Sequence, residues 1–144
     1  MRRILGVGVV LLVGSLLLPS DAAAQQTGSG RPQKAQLGGN YPNPFNPETT
    51  IPFELFEEMF RGGKPVVVTL EIRDLLGRLV AIPDALNQAG GVKLKQLQYT
   101  APGRYAAHWD GRDVTGREVA SGTYFSVLIV NGERLGTRIM TVAK

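Results

Sequence analysis

Hydrophobic and polar residues alternate along several short runs of this chain, and glycine or proline separates most runs from the next. The clearest run is residues 65–73, in which an aliphatic side chain occupies every second position. Other runs with the two-residue period of a strand are residues 49–56, 77–82, 94–99, 103–109, 123–130 and 135–143. Because turn residues recur roughly every eight to twelve positions, the pattern predicts an all-β protein, a single immunoglobulin-like antiparallel β-sandwich of about seven strands.

Two of the runs differ from simple alternation. Residues 123–130 are apolar on both faces, which predicts a central strand. The run at 49–56 contains Pro52, which lacks the N–H of a sheet ladder, so this run is predicted to be an edge strand. Helix is expected only within residues 54–61.

One turn pattern occurs twice. Residues 73–81 and 112–120 are identical at six of nine positions. In each copy an aspartate, Asp74 or Asp113, is followed three residues later by glycine. The aspartate is predicted to accept backbone hydrogen bonds and the glycine to supply a positive φ, so each copy predicts a tight turn between strands.

The first residues have the composition of a secretory signal peptide. A positive start at residues 2–3 precedes an apolar run at 4–18 and small residues at 22–24. We expect cleavage between Ala24 and Gln25, a flexible linker over 25–39 and a folded domain over 40–144. The apolar run is short for a membrane span, so no integral membrane segment is expected after cleavage. The absence of cysteine excludes a lipid anchor and disulfides.

Residues that could carry chemistry are few. Asp110, Asp113 and Glu118 lie close together, so a calcium site is an alternative to their use as turn-capping carboxylates. His108 is the single histidine and has no evident catalytic partner, so a structural role is expected. We therefore expect no catalytic residues, no cofactor and no enzyme activity. The net charge of +4 is scattered along the chain, so no nucleic-acid partner is expected.

A proline-rich ribbon precedes the first predicted strand. Its residues are Asn40, Tyr41, Pro42, Asn43, Pro44, Phe45, Asn46 and Pro47. The prolines fix φ and remove backbone donors, so this segment is predicted to be an extended lead-in that docks on the edge of the β domain. Tyr41 and Phe45 are expected to anchor it, and Asn43 and Asn46 to form Asx-turns.

Three segments carry a family resemblance. Residues 40–51 resemble the opening of the type A C-terminal sorting domains of cargo of the bacterial type IX secretion system. Residues 109–125 are similar to the same family and to the immunoglobulin-like domain of the flagellar hook-capping protein, and 138–144 resemble the final strand and basic last residue of the sorting domains. Besides the ribbon, the motif residues are Trp109, Asp110, Gly111, Gly116, Gly122 and Tyr124, and the candidate sorting-strand residues are Arg138, Met140 and Lys144.

The resemblance implies a non-enzymatic module for secretion and surface targeting. Its partner would be the outer-membrane secretion machinery, which would recognise a sheet edge and exposed residues of the last strand. The protein would pass through the periplasm to the cell surface or the medium. The alternative is a stand-alone structural or assembly module that braces an exported or cell-surface complex through residues 123–130 and 56–60. A carbohydrate-binding module would need an exposed aromatic platform, for which Tyr99, Tyr105 and Trp109 are the candidates.

Overall fold

The computed structural model describes residues 32–86 and 88–144. These residues belong to one compact unit. The signal peptide and the cleavage site between Ala24 and Gln25 lie outside the described residues, so both remain predictions. No helix in the described part of the chain is long and apolar enough to cross a membrane.

The described residues form nine strands and one short 3-10 helix, at Glu57–Phe60. The strands are β1 (Ala35–Leu37), β2 (Thr49–Leu55), β3 (Val66–Arg73), β4 (Leu79–Ala81), β5 (Asp84–Ala85), β6 (Leu97–Tyr99), β7 (Gly103–Trp109), β8 (Gly122–Val130) and β9 (Glu133–Val142). The count exceeds the predicted seven because β1 and β5 were not foreseen.

The strands form two antiparallel sheets. One sheet has the order β1-β2-β7-β5, and the other has the order β4-β3-β8-β9, with β6 also paired to β3. When β4 and β6 are left out of the count, the first sheet holds the first, second, fifth and fourth strands, as one sheet of an immunoglobulin domain does. The predicted all-β antiparallel sandwich is confirmed.

The core lies between the sheets and contains the side chains that the period-two pattern assigned to it. On β3 the alternating aliphatic residues are fully buried, and these are Val66, Val68, Leu70 and Ile72. Strand β8 lies between β3 and β9, so the prediction of a central strand is confirmed. Its second apolar face, with Phe125, Val127 and Ile129, points away from the core because their neighbours in sequence point into it.

Two expectations about the start of the domain were wrong. Residues 35–37 belong to β1, although they were assigned to the linker. Leu37 is buried and packs so closely on Gly136 of β9 that a Cβ there would lie 2.8 Å from the Leu37 Cβ.

Pro52 is in an interior strand, since β2 pairs with both β1 and β7. Its carbonyl accepts the N–H of Gly38, which follows the last residue of β1 (2.9 Å). The N–H that proline lacks would face the same side, just past the end of the β1 ladder, so the sheet loses little.

Candidate functional site

The ribbon, residues 40–47, crosses from one sheet to the other. Tyr41 exchanges two backbone hydrogen bonds of 2.9 Å with Thr50 of β2. Phe45 then pairs in parallel with β9: its N–H donates to the Thr141 carbonyl (3.0 Å), and its carbonyl accepts the N–H two residues further along (3.0 Å). The ribbon therefore closes one side of the sandwich, and the predicted docking on a sheet edge is confirmed.

A buried polar cluster holds the entry of the ribbon. The Asn40 amide donates to the Pro42 carbonyl (3.1 Å) and to the Thr49 hydroxyl oxygen (3.0 Å), and that hydroxyl donates to the same carbonyl (2.9 Å). The peptide bonds before Pro42, Pro44 and Pro47 are cis. Asn40 and Thr49 are both buried, and these hydrogen bonds replace ones lost to water, although the Asn40 Oδ1 has no partner among the described residues. The position of Thr49 as a polar residue on the buried face of β2 was the available sequence signal for this cluster.

The predicted anchors of the ribbon are only partly right. Phe45 is buried, with 2% of its surface exposed, whereas Tyr41 is 57% exposed and anchors through its backbone alone. Asn43 makes a contact over a long sequence distance, because its Oδ1 accepts the N–H of Thr141 (3.0 Å). Asn46 is exposed. The ribbon is thus fastened to β9 by two backbone hydrogen bonds and one side-chain hydrogen bond.

An aromatic stack joins the ribbon to the second family motif. The rings of Phe45 and Trp109 meet edge to face with centroids 5.4 Å apart, and those of Trp109 and Tyr124 at 5.7 Å. Trp109 is 1% exposed and its indole N–H donates to the Arg112 carbonyl (2.9 Å). The prediction that Trp109 is a core residue is confirmed.

The loop after Trp109 packs against the end of the ribbon. Gly111 has a φ of 73° and lies so near the ribbon that a Cβ would be 2.5 Å from the Pro47 carbonyl oxygen. Asp110 shapes the same loop, since its Oδ1 accepts the N–H of Arg112 (3.0 Å). Glycine at this position therefore permits both the backbone conformation and the close approach.

The two repeated turns have the same geometry, as predicted. Asp74 Oδ1 accepts the N–H groups two and four residues later at 2.9 and 3.0 Å, and Asp113 Oδ1 does so at 2.9 and 3.1 Å. Gly77 and Gly116 have φ values of 78° and 83°. Gly122, the remaining glycine of the motif, begins β8.

The hydrogen bonds of these turns favour the ionised aspartates. The Thr115 hydroxyl and the N–H groups of Thr115 and Arg117 lower the pKa of Asp113 against a smaller effect of desolvation. Desolvation raises the pKa of Asp74, but hydrogen bonds from the Arg78 backbone and guanidinium outweigh it, and the pKa lies below its ordinary value. Both carboxylates therefore act as turn caps.

The calcium alternative finds no support in these contacts. Asp110 and Asp113 are occupied by backbone donors, while Glu118 pairs with Arg112 (3.6 Å) and Lys144 (3.3 Å). No group of three side chains suited to a metal ion occurs in residues 32–86 and 88–144.

The candidate sorting-strand residues have different environments. Met140 is fully buried, so a partner cannot contact it in the folded domain. The Arg138 Nε donates to the Leu37 carbonyl (3.0 Å), and the Lys144 ammonium pairs with Glu118 (3.3 Å). Since the ribbon occupies the outer edge of β9 at Thr141, the expected free edge at the end of this strand is absent there.

The aromatic platform for a carbohydrate is not formed by the three candidates. Tyr99 and Trp109 are 5% and 1% exposed, and Tyr105 is half-buried against Tyr99 with ring centroids 4.5 Å apart. That interpretation was wrong.

His108 lies 3.3 Å from the Glu48 carboxylate and lines a cavity of about 380 Å³. The cavity also contains the ion pair of Asp84 and Lys93 (2.9 Å). Asp84 and Lys93 thus pair with each other in the cavity wall, whereas the partner of His108, Glu48, lies outside it.

No family model and no curated protein matches the chain. Among solved structures it is similar to the Pseudomonas fluorescens alkylpurine DNA glycosylase AlkC bound to DNA containing an abasic site analog, with 19% identity and a TM-score of 0.49. The match covers 81% of this chain and 32% of that chain, so the chain spans about a third of the length of the glycosylase.

One expectation is corrected by this comparison. The scattered charge led us to exclude a nucleic-acid partner, but the similar chain is bound to DNA, and the exclusion is withdrawn. That chain is also an enzyme, so the comparison lends no support to the expected absence of catalysis. A likeness at this TM-score assigns neither DNA binding nor an activity to the present chain.

Proposed function

We propose that this protein is a secretion and surface-targeting module, recognised by the bacterial type IX outer-membrane machinery and without enzymatic activity of its own. The observation that carries the proposal is the convergence of the three segments that resemble the sorting family. Phe45 of the first segment packs edge to face on Trp109 of the second, and its backbone bonds to Thr141 of the third. Segments far apart in sequence thus build one end of the domain.

The contacts at this end of the domain give a reason why a sorting domain would need all three segments. The ribbon and the aromatic stack hold β9 in place on its outer side and its core side. A receptor that reads residues of this strand would then meet them in a fixed conformation, which lowers the conformational entropy lost on binding. Export through the inner membrane would be provided by the predicted signal peptide, and the destination would be the cell surface or the medium.

The test is a fusion of residues 32–144 to an unrelated periplasmic reporter. The fusion begins at 32 because Leu37 belongs to the core. We expect the reporter outside cells that have an active type IX system and inside the periplasm of cells that lack it. The matched control is the same fusion with Phe45→Ala, which removes the stack that joins the segments. A folded wild-type fusion that stays in the periplasm of export-competent cells would contradict the proposal.

A second candidate function rests on the outer face of the second sheet. Phe125 and Ile129 of β8 are half-buried in an apolar stripe there, Val127 between them is 2% exposed, and Ile139 beside them is 61% exposed. A structural module that braces an exported complex would use such a stripe as its interface. This candidate predicts a stable complex with a partner protein after export by the ordinary secretory route, and no export of a fused reporter.

A further inference from the structure

The edge of β9 has an open stretch between two occupied ones. In an antiparallel ladder, alternate residues direct their N–H and C=O groups to the same side. Thr141 directs both groups outward, to Asn43 and Phe45 of the ribbon. The register from Thr141 to Thr137 is regular, so Ile139 and Thr137 also direct theirs outward.

Within the described residues, the outward N–H and C=O groups of Thr137 and Ile139 have no backbone hydrogen-bond partner. The opening has limits on both sides. Past Thr141 the ribbon covers the edge, and at Gly136 the Leu37 side chain of β1 lies against the strand. Residues 137–139 between these limits are exposed. An unpaired edge of this kind is a template for an added strand.

The side chains around the opening are basic. Among the described residues Arg134 and Arg138 form no salt bridge, whereas Glu133 is paired with Lys34 (3.1 Å). Beyond the other end of the strand, Lys144 is paired with Glu118. The open edge therefore carries two positive charges without local neutralisation, and it attracts negative charge.

The outer face beside the opening is apolar. Ile139 faces Phe125 across the ladder, and both side chains project from the same face of the sheet. A strand added at the edge would place every second side chain over this face. A partner strand in which acidic and aliphatic residues alternate would complement both the positive charge of the edge and its apolar outer face.

We propose that the edge of β9 at Thr137–Ile139 binds an extended acidic segment of a partner protein by strand addition. The inference rests on the proposed function, since the partner would be a component of the export machinery. It specifies the contact: backbone hydrogen bonds at residues 137 and 139, aliphatic side chains over Ile139, and acidic side chains on the opposite face, on which Arg138 lies. Arg134 adds to the positive charge of the edge.

The first experiment measures hydrogen exchange in the full chain with a synthetic peptide that alternates Glu and Val. We expect the amides of Thr137 and Ile139 to gain protection, and a peptide with Lys in place of Glu to bind about tenfold more weakly. Arg134→Glu should remove the preference for the acidic peptide. Arg104→Glu, the same charge change on β7 of the other sheet, should not.

The second experiment uses the reporter fusion with Ile139→Pro. Proline removes one outward N–H and places its ring where an added strand would lie, while the bonds from neighbouring residues to β8 are retained. Export should fall about tenfold, and Ile139→Ala, which keeps the N–H, should retain most of it. If Ile139→Pro fails to fold, the hydrogen exchange of the wild-type chain decides.

Three outcomes would overturn the inference. Unchanged exchange with both peptides would mean that the arginines protect the edge from pairing. Protection that rises with protein concentration in the absence of peptide would make a second copy of the chain the occupant. Full export of a folded Ile139→Pro fusion would place recognition elsewhere. Failure of the proposed function is distinct, because the unsubstituted fusion would then not be exported.

Discussion

Replacement of Trp109 by alanine tests the centre of the domain. The side chain is 1% exposed and lies between the rings of Phe45 and Tyr124. Loss of a large buried aromatic side chain costs about 3–5 kcal/mol of unfolding free energy, since the neighbours relax only partly into the cavity. We therefore expect Trp109→Ala to lower the unfolding free energy by about 4 kcal/mol.

A second substitution separates packing from hydrogen bonding. Trp109→Phe keeps a ring between Phe45 and Tyr124 but loses the indole N–H that donates to the Arg112 carbonyl. We expect it to cost about 1–2 kcal/mol, because Arg112 is exposed and water can replace the donor. The ring contact with Phe45 should appear as a coupling of about 0.5–1.5 kcal/mol in a double-mutant cycle with Phe45→Ala.

The assay is urea unfolding followed by far-UV circular dichroism. Tryptophan fluorescence cannot be used for the variants, since Trp109 is the only tryptophan of the chain. A loss below about 1 kcal/mol for Trp109→Ala, which is the size of a typical surface change, would refute the packing argument. It would also return Trp109 to the surface and reopen the carbohydrate interpretation.

Two further predictions concern single positions. The hydroxyl of Tyr99 is buried without a hydrogen-bond partner among the described residues, and burial together with Tyr105 raises its pKa from 10.0 to about 12. The folded state then holds this proton more tightly than the unfolded state, so stability present below pH 10 is lost as the pH rises from 10.0 to about 12. Tyr99→Phe should leave the unfolding free energy at neutral pH unchanged or raise it by up to about 1 kcal/mol. The same substitution should weaken the loss of stability at alkaline pH in denaturation curves. A large destabilisation at neutral pH would show that the hydroxyl has a stabilising partner. Gly111→Ala should destabilise the domain more than Gly116→Ala. Both glycines have a positive φ, so either substitution costs about 1–2 kcal/mol of backbone strain. Only the Cβ at position 111 would also meet the Pro47 carbonyl oxygen. Equal melting temperatures for the two variants would refute this close contact.

Features that depend on neighbours in sequence were predictable. The faces of β3 follow from alternation of aliphatic and polar residues over eight positions. The two turns follow from an aspartate and a glycine with fixed spacing, because the backbone hydrogen bonds that each aspartate side chain accepts lie within four residues. The bounds of β7 were also predicted, since this strand has an alternating pattern that ends at Trp109.

Features that depend on distant partners were not predictable. The sequence of β1 is Ala-Gln-Leu, and a three-residue stretch of this kind becomes a strand only because β2 and Gly136 bury its two apolar side chains. The composition of the ribbon indicated its rigidity but not its position, since the contact of Asn43 with Thr141 joins residues 98 positions apart. The edge assignment of Pro52 failed because β1 was missed.

The contacts of β9 also change where recognition information should be sought. Met140 and Val142 are core residues, and Thr141 carries the hydrogen bonds to the ribbon. Removal of residues 140–144 would therefore take away part of the core together with the attachment of the ribbon. Such a deletion cannot separate loss of recognition from loss of folding.

Under the proposed function, the residues of β9 that a partner would contact precede the buried residues at the end of this strand. Residues 137–139 are exposed, their outward backbone groups are unpaired in the described structure, and Arg134 lies beside them with its charge free of a salt bridge. Lys144 is tied to Glu118, so a change of its charge alters an ion pair as well as a possible contact. Substitutions at Arg134, Thr137 and Ile139 thus alter what a partner meets while leaving the fastening of β9 intact, and they are the ones that can distinguish a targeting signal from a structural strand.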